Sequence, residues 1–330
     1  MRDTTFDIMK SIGIIAMIIG HLSIPADCRK FIFIWHMPLF FIISGYFYKQ
    51  VAAKDLMIKL SKSLIRPYVI TSAVLLLIAS IKSIIFHNYY IVRMIVGVIT
   101  ASGSSENPFF FSGHCQVGAV WFLFALFWCR LFFNTLNTPR KGSYYNKHSA
   151  FCIIVLSYFA SFLGQYIYMP LDIFQGLSAL IFYYIGFIIH KYNICYYISK
   201  TKINLVTALV IGLVCFYIGM SFNIMGMVTC YYEIWPVNVI CAIGAFLFVY
   251  AIVILLRKFI DLSFLANIGR ISILILCVHL IDLESGDLYL LSNMNLQLGK
   301  LFVLLLHIII PITISWFLSK NKVVQQLFNL

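Results

Sequence analysis

Three ionisable side chains in or beside the first apolar run have the spacing to do chemistry together. They lie in Asp7-Ile-Met-Lys10-Ser-Ile-Gly-Ile-Ile-Ala-Met-Ile-Ile-Gly-His21. At about 100° per residue a helix through this run turns three times and roughly 20° more between Lys10 and His21, so the two share one face about 16 Å apart. Asp7 stands one turn before Lys10 and can pair with it. An imidazole titrates near neutrality and suits general acid/base work, and a charge in a bilayer costs a few kcal/mol, so such groups mark functional positions. Each also has a plainer explanation: His21 as a core histidine bonded to a neighbouring helix, Lys10 as a side chain snorkelling to the headgroups.

Three further histidines, His36, His114 and His279, fall near the ends of apolar stretches. With His21 they can line one outward cavity, although each taken singly also reads as structural or interfacial. A metal is not expected, because the apolar stretches lack carboxylate partners and there is no histidine pair at i, i+4.

The elements that carry these residues are membrane helices. Of the 330 residues 62% are hydrophobic and 11% charged, and the mean hydropathy is +0.96, which excludes an ordinary soluble domain. The net charge of +13 fits cytoplasmic loops and anionic headgroups rather than nucleic acid. Nine cysteines lie mostly in apolar runs without a C-x-x-C pair and read as small core residues. Asp3 and Asp7 precede the first run, and no small-residue cleavage site follows it, so this run is expected to remain as helix one.

Apolar runs of about 17 to 22 residues predict an all-α, polytopic membrane bundle, a single domain over residues 1–330. About ten transmembrane helices are expected, near 6–24, 31–48, 68–87, 117–133, 149–166, 171–190, 203–221, 236–256, 271–283 and 299–319. The ninth is short for a span and can begin nearer Leu262 or run past Ile281. With the N-terminus in the cytoplasm, 19 of the 24 Lys and Arg fall inside and 5 outside, so both termini are expected in the cytoplasm. Residues 49–66 read as a basic interfacial helix, and residues 89–100 are apolar enough to dip into the membrane from the outside. No repeat is apparent, nor any pair of broken helices of the inverted-repeat transporter kind.

The Lys10-x10-His21 arrangement, followed by Phe33-Ile-Trp-His36-Met-Pro-Leu-Phe-Phe-Ile-Ile-Ser-Gly-Tyr46, resembles the opening of acyltransferase family 3. Those membrane enzymes O-acetylate sugars of bacterial envelope polymers. Val120-Trp-Phe-Leu123, Phe182-Tyr-Tyr-Ile-Gly-Phe187 and Asn267-Ile-Gly-Arg-Ile-Ser-Ile-Leu-Ile-Leu-Cys-Val-His279 agree with the family in order. The resemblance is to the short, membrane-only members, including the fucose acetylase-like ones. One departure stands at the third helix: where the family often has R-x-x-R before a proline, this chain has Lys59-Leu-Ser-Lys62-Ser-Leu-Ile-Arg66-Pro67. Lysine keeps the charge but not the bidentate geometry.

The resemblance implies an O-acyltransferase of the bacterial cytoplasmic membrane, with acetyl-CoA as donor and a surface polysaccharide or its lipid-linked sugar precursor as acceptor. Donor phosphates would stay at the basic inner side, against Lys62 and Arg66, with Lys59 an ordinary topology anchor. His21 would be the general base or, in the competing chemistry, an acyl-histidine nucleophile, with Lys10 and Asp7 beside it. His36, Trp121, His279 and Asn267 would line or orient the substrate pocket, and Ser44 and Ser272 lie nearby in sequence. Two other readings stand beside this one: acylation of peptidoglycan or a small metabolite, and a transporter that uses the same histidines as proton carriers.

Overall fold

The computed structural model describes residues 4–87, 89–108, 116–137, 147–285 and 297–330. Helix α1, Thr5–His21, is the post around which the site is built. It is followed by α2 (Ala26–Phe33) and α3 (His36–Tyr46), which form one apolar stretch interrupted at Ile34 and Trp35. Pro38 accounts for the interruption: it has no N–H to give to the Ile34 carbonyl and is tolerated only in the first turn of a new helix. His36 therefore opens α3 with its side chain turned toward α1.

The next elements are α4 (Ala53–Leu60), a π-turn over Ser61–Ile65 and α5 (Arg66–Ile85), which together make one continuous helix of 33 residues. The basic segment expected as an interfacial helix over residues 49–66 is helical from Ala53 and runs without a break into the span expected at 68–87. A short helix α6 (Tyr90–Thr100) packs on α5, in the segment read as dipping into the membrane. Then come α7 (Trp121–Leu136), α8 (Lys147–Leu163), α9 (Ile173–Ser178), α10 (Leu180–Lys191), α11 (Ile194–Lys200), α12 (Lys202–Met220) and α13 (Trp235–Leu256). The chain closes with α14 (Ser263–Arg270), α15 (Ser272–Ser285), α16 (Gln297–Leu318) and α17 (Lys322–Phe328). Among the described residues there is no strand beyond one isolated pairing, Gly226 with Tyr231.

Five helices among the described residues are long and apolar enough to cross a membrane, and up to eight if each bent pair is one span. Three other apolar helices, α1, α6 and Ser149–Leu163, are shorter. The bends differ from the sequence expectation of unbroken spans: the helix before Ser178 meets α10 at 47°, α14 meets α15 at 71°, and α16 meets α17 at 108°. At the ninth stretch α15 begins at Ser272 and runs past Ile281 to Ser285, and the residues from Ser263 form a separate helix, α14, bent away from it.

Small residues set the tightest crossings, as expected where lipid supplies no hydrophobic drive between helices. A Cβ on Gly45 of α3 would lie 1.9 Å from the Tyr183 carbonyl oxygen of α10, and one on Gly186 would lie 1.9 Å from that of Ile42. The Ser-Gly-Tyr and Tyr-Ile-Gly motifs are thus two halves of one crossing. A Cβ on Gly269 would lie 1.7 Å from the Asp7 carbonyl oxygen, so α14 touches α1 backbone to backbone. The core along these crossings is apolar and includes Met9, Met17, Leu39, Phe41, Tyr183 and Phe246.

Candidate active site

His21 ends α1, and its Nδ1 lies 2.8 Å from the Met17 carbonyl oxygen. A carbonyl only accepts, so Nδ1 carries the proton and donates it, leaving Nε2 with a free lone pair. His36 repeats the arrangement, its Nδ1 donating to the Ile32 carbonyl at 2.9 Å. Both imidazoles line one cavity of about 200 Å³ together with Phe33, Met37, Gly103 and Trp121. At about 30 Å³ for a water, this is room for roughly seven water-sized volumes.

The opposite wall of the cavity is the loop Met225–Val228, closed by reciprocal backbone bonds of 3.0 and 2.9 Å between Gly226 and Tyr231. Gln175, buried on α9, donates to the Val228 carbonyl at 3.0 Å and so ties that wall to the bend before α10. Trp121 is buried at the start of α7, where it presses on Gly103. His279 on α15 is fully buried and comes beside His21, ring centroids 6.1 Å apart, rather than onto the cavity wall. Neither of its ring nitrogens has a hydrogen-bond partner among the described residues. His114 lies outside the described residues.

At the other end of α1, Lys10 Nζ is 3.4 Å from Asp7 Oδ1, which is the pairing that the spacing predicts. Asp7 is buried, and its Oδ2 also faces the Arg270 Nε of α14 at 3.6 Å. Arg270 in turn donates from Nη1 to Asn267 Oδ1 at 3.1 Å. Asn267 therefore belongs to this end of the molecule and not to the histidine cavity, because the α14–α15 bend separates it from His279. It lines a cleft of about 720 Å³ with Arg257, Lys258, Asp261, Ser263 and Arg270. Two hydrogen bonds from Ser263 hold the exposed carboxyl of Asp261 below its ordinary range.

Lys62 and Arg66 lie on the π-turn and the start of α5, outside both the cavity and the cleft; Lys62 is exposed, and Arg66 donates to the Lys62 carbonyl at 3.2 Å. Ser44 sits on α3 and Ser272 opens α15, and neither lines the histidine cavity.

The sequence gives little sign of several polar groups near the site. One turn beyond His279, Asp282 Oδ2 lies 2.6 Å from His307 Nδ1 of α16. Glu284 accepts from Lys82 at 2.9 Å and from Tyr90 at 2.6 Å. Asp172 is fully buried and accepts from the Tyr168 hydroxyl at 3.3 Å. These pairings correct the expectation that carboxylate partners are lacking. Only the His279-x-x-Asp282 spacing could have pointed to one of them. Among the described residues no three His, Cys, Asp or Glu side chains converge as a metal-ligand set.

The family model described as an acyltransferase domain, that of acyltransferase family 3, matches residues 3–320. The chain belongs to that family. It is a membrane acyltransferase, as the sequence motifs suggested. No curated protein and no solved structure gives a significant match. The residues of the acyltransferase family 3 motifs do two kinds of work. His21, His36 and Trp121 converge on one cavity, whereas Gly45, in the same motif as His36, joins Gly186 in building a helix crossing.

Proposed function

We propose that this acyltransferase is an O-acetyltransferase of the bacterial cytoplasmic membrane. It moves an acetyl group from cytoplasmic acetyl-CoA to a hydroxyl of a surface polysaccharide or its lipid-linked sugar precursor. The observation that carries the reading is the cavity shared by His21, His36 and Trp121, with the bare Nε2 of His21 at the far end of α1 from Lys10. The 19 to 5 division of basic residues supports a cytoplasmic N- and C-terminus and the cavity on the outer side. The donor then enters from the Lys10 end and the acceptor from the His21 end.

In this mechanism Nε2 of His21 takes the proton of the acceptor hydroxyl as its oxygen attacks the thioester carbonyl carbon. The tetrahedral intermediate collapses with cleavage of the C–S bond, and the thiolate recovers the proton from the imidazolium. The products are the acetyl ester and free CoA. His36 and Trp121 border the acceptor, and His279 stands against the back of His21, where it influences the charge that His21 acquires. Asp7 holds Lys10 on the donor side, and Lys62 and Arg66 attract the donor phosphates.

The test is to incubate inverted membrane vesicles with acetyl-labelled acetyl-CoA and measure base-labile label in the surface polysaccharide, with and without the gene. Label that depends on the gene and on His21 is the expected result. Polysaccharide acetylation that is the same without the gene overturns the reading.

A further inference from the structure

The cleft at the Lys10 end continues into a second feature that the acyl-transfer chemistry does not use. Thr4 and Ile8 of α1 line the cleft, and Ile12, Ile15, Ala16 and Ile19 line an adjoining groove of about 600 Å³. Positions 4, 8, 12, 15 and 19 follow helical spacing, so they form one stripe along α1. The groove's other wall is Phe31, Ile32 and Trp35 of the α2 region, with Asp27 and Cys28 at the start of α2, and Leu265 of α14, whose neighbours Leu262 and Ala266 line the cleft.

The two compartments differ sharply in chemistry. Arg257, Lys258 and Arg270 border the cleft, with Asp261 engaged by Ser263 and Asp7 by Lys10 and Arg270. Phe259, Ile260 and Phe264 stand exposed beside those cations, which is the composition of a membrane–water interface. From Ile8 to Ile19 the stripe rises about 16 Å, against roughly 15 Å for half of a bilayer's hydrocarbon core.

We propose that cleft and groove together bind one phospholipid with an anionic headgroup. Its phosphate lies against Arg257, Lys258 and Arg270, and one acyl chain runs along Ile12, Ile15 and Ile19. The geometry favours a lipid over the acyl donor. Ile19 precedes His21 by two residues, about 200° of helix, so a thioester arm that followed the groove would arrive on the wrong side of α1. The assignment rests on the membrane fold alone and is independent of which acceptor is acylated.

The experiment is native mass spectrometry of the full chain, released from nanodiscs of equal parts 1-palmitoyl-2-oleoyl phosphatidylglycerol and the corresponding phosphatidylcholine. The wild type is expected to retain one phosphatidylglycerol in preference to phosphatidylcholine. Lys258→Gln should weaken that retention about fivefold, and Arg257→Gln with Lys258→Gln by the product of two such factors. Ile15→Trp should fill the groove and lower retention with the cations intact, whereas Lys62→Gln with Arg66→Gln should leave it unchanged. Equal retention of the two lipids, or full retention by the exposed Lys258→Gln variant, overturns the proposal. So does displacement of phosphatidylglycerol by stoichiometric free CoA, which would mark the cleft as a nucleotide site.

Discussion

The Nδ1 of His21 lies 2.8 Å from the Met17 carbonyl oxygen one turn earlier on the same helix, and this single contact fixes which nitrogen can act as a base. Nε2 alone is left to face substrate. His21→Ala is expected to lower acetyl transfer by about 10²- to 10⁴-fold, while the protein accumulates normally in membranes, because lipid and packing already hold α1. Labelled-acetate transfer and immunoblotting of membranes check both parts. Near wild-type transfer would exclude the base and nucleophile roles together, and an acetylated His21 peptide after acid quench would select the nucleophile.

Asp7 ties two cations from different helices, Lys10 at 3.4 Å and Arg270 at 3.6 Å, and is itself buried. Removing the carboxylate strands both, but Lys10 and Arg270 are 28% and 44% exposed and can rehydrate in part. Asp7→Asn should therefore destabilise by about 1 kcal/mol rather than the several expected of a fully buried pair. Lys10→Ala should cost less stability, because Arg270 still pairs with Asp7. Thermal unfolding in detergent, followed by tryptophan fluorescence, gives the order of the two variants; Lys10→Ala as the more damaging would contradict it.

At the crossing of α3 and α10 the Gly186 position leaves no room for a methyl group, since a Cβ would meet the Ile42 carbonyl at 1.9 Å. The obstacle is backbone and cannot rotate away. Gly186→Ala is expected to push the helices apart, costing about 1–3 kcal/mol or more, and to reduce accumulation in the membrane. Gly13→Ala, inside α1, is the control, because its Cβ would meet only the ends of the Leu39 and Phe40 side chains, at 3.1 Å or more, and not a backbone atom. Equal accumulation of the Gly186 variant and wild type would show that the crossing is looser than described.

Lys62 and Arg66 present charge at the surface without lining the cleft or the cavity. If they gather the donor's phosphates, reversing both charges should raise the KM for acetyl-CoA severalfold and leave acceptor use unchanged. Steady-state kinetics in vesicles checks this. An unchanged donor KM in a correctly inserted protein would reduce this basic segment to a topology anchor.

Trp121 entered only through the family resemblance, whereas the α-helical membrane class, the Asp7–Lys10 pair and the candidacy of His21 and His36 were legible in the amino-acid order. Each depends on local rules: run length against bilayer thickness, residue spacing against 3.6 per turn, and the cost of a charge in lipid. Pro38 sits inside the span that the sequence predicts over 31–48, and the break at Ile34 and Trp35 is a finding of the structure. What the order could not contain is which distant helix each face meets. Asn267 and His279 stand in one motif twelve residues apart, yet the 71° bend between α14 and α15 sends the first to the cationic cleft and the second to the back of His21. Arg270 reaches Asp7, Asp282 reaches His307 and Gln175 reaches Val228 only through helix contacts between remote segments. Side-chain type and period act within one element, whereas bends and glycine crossings decide which elements touch, and the shape of the site follows from those contacts.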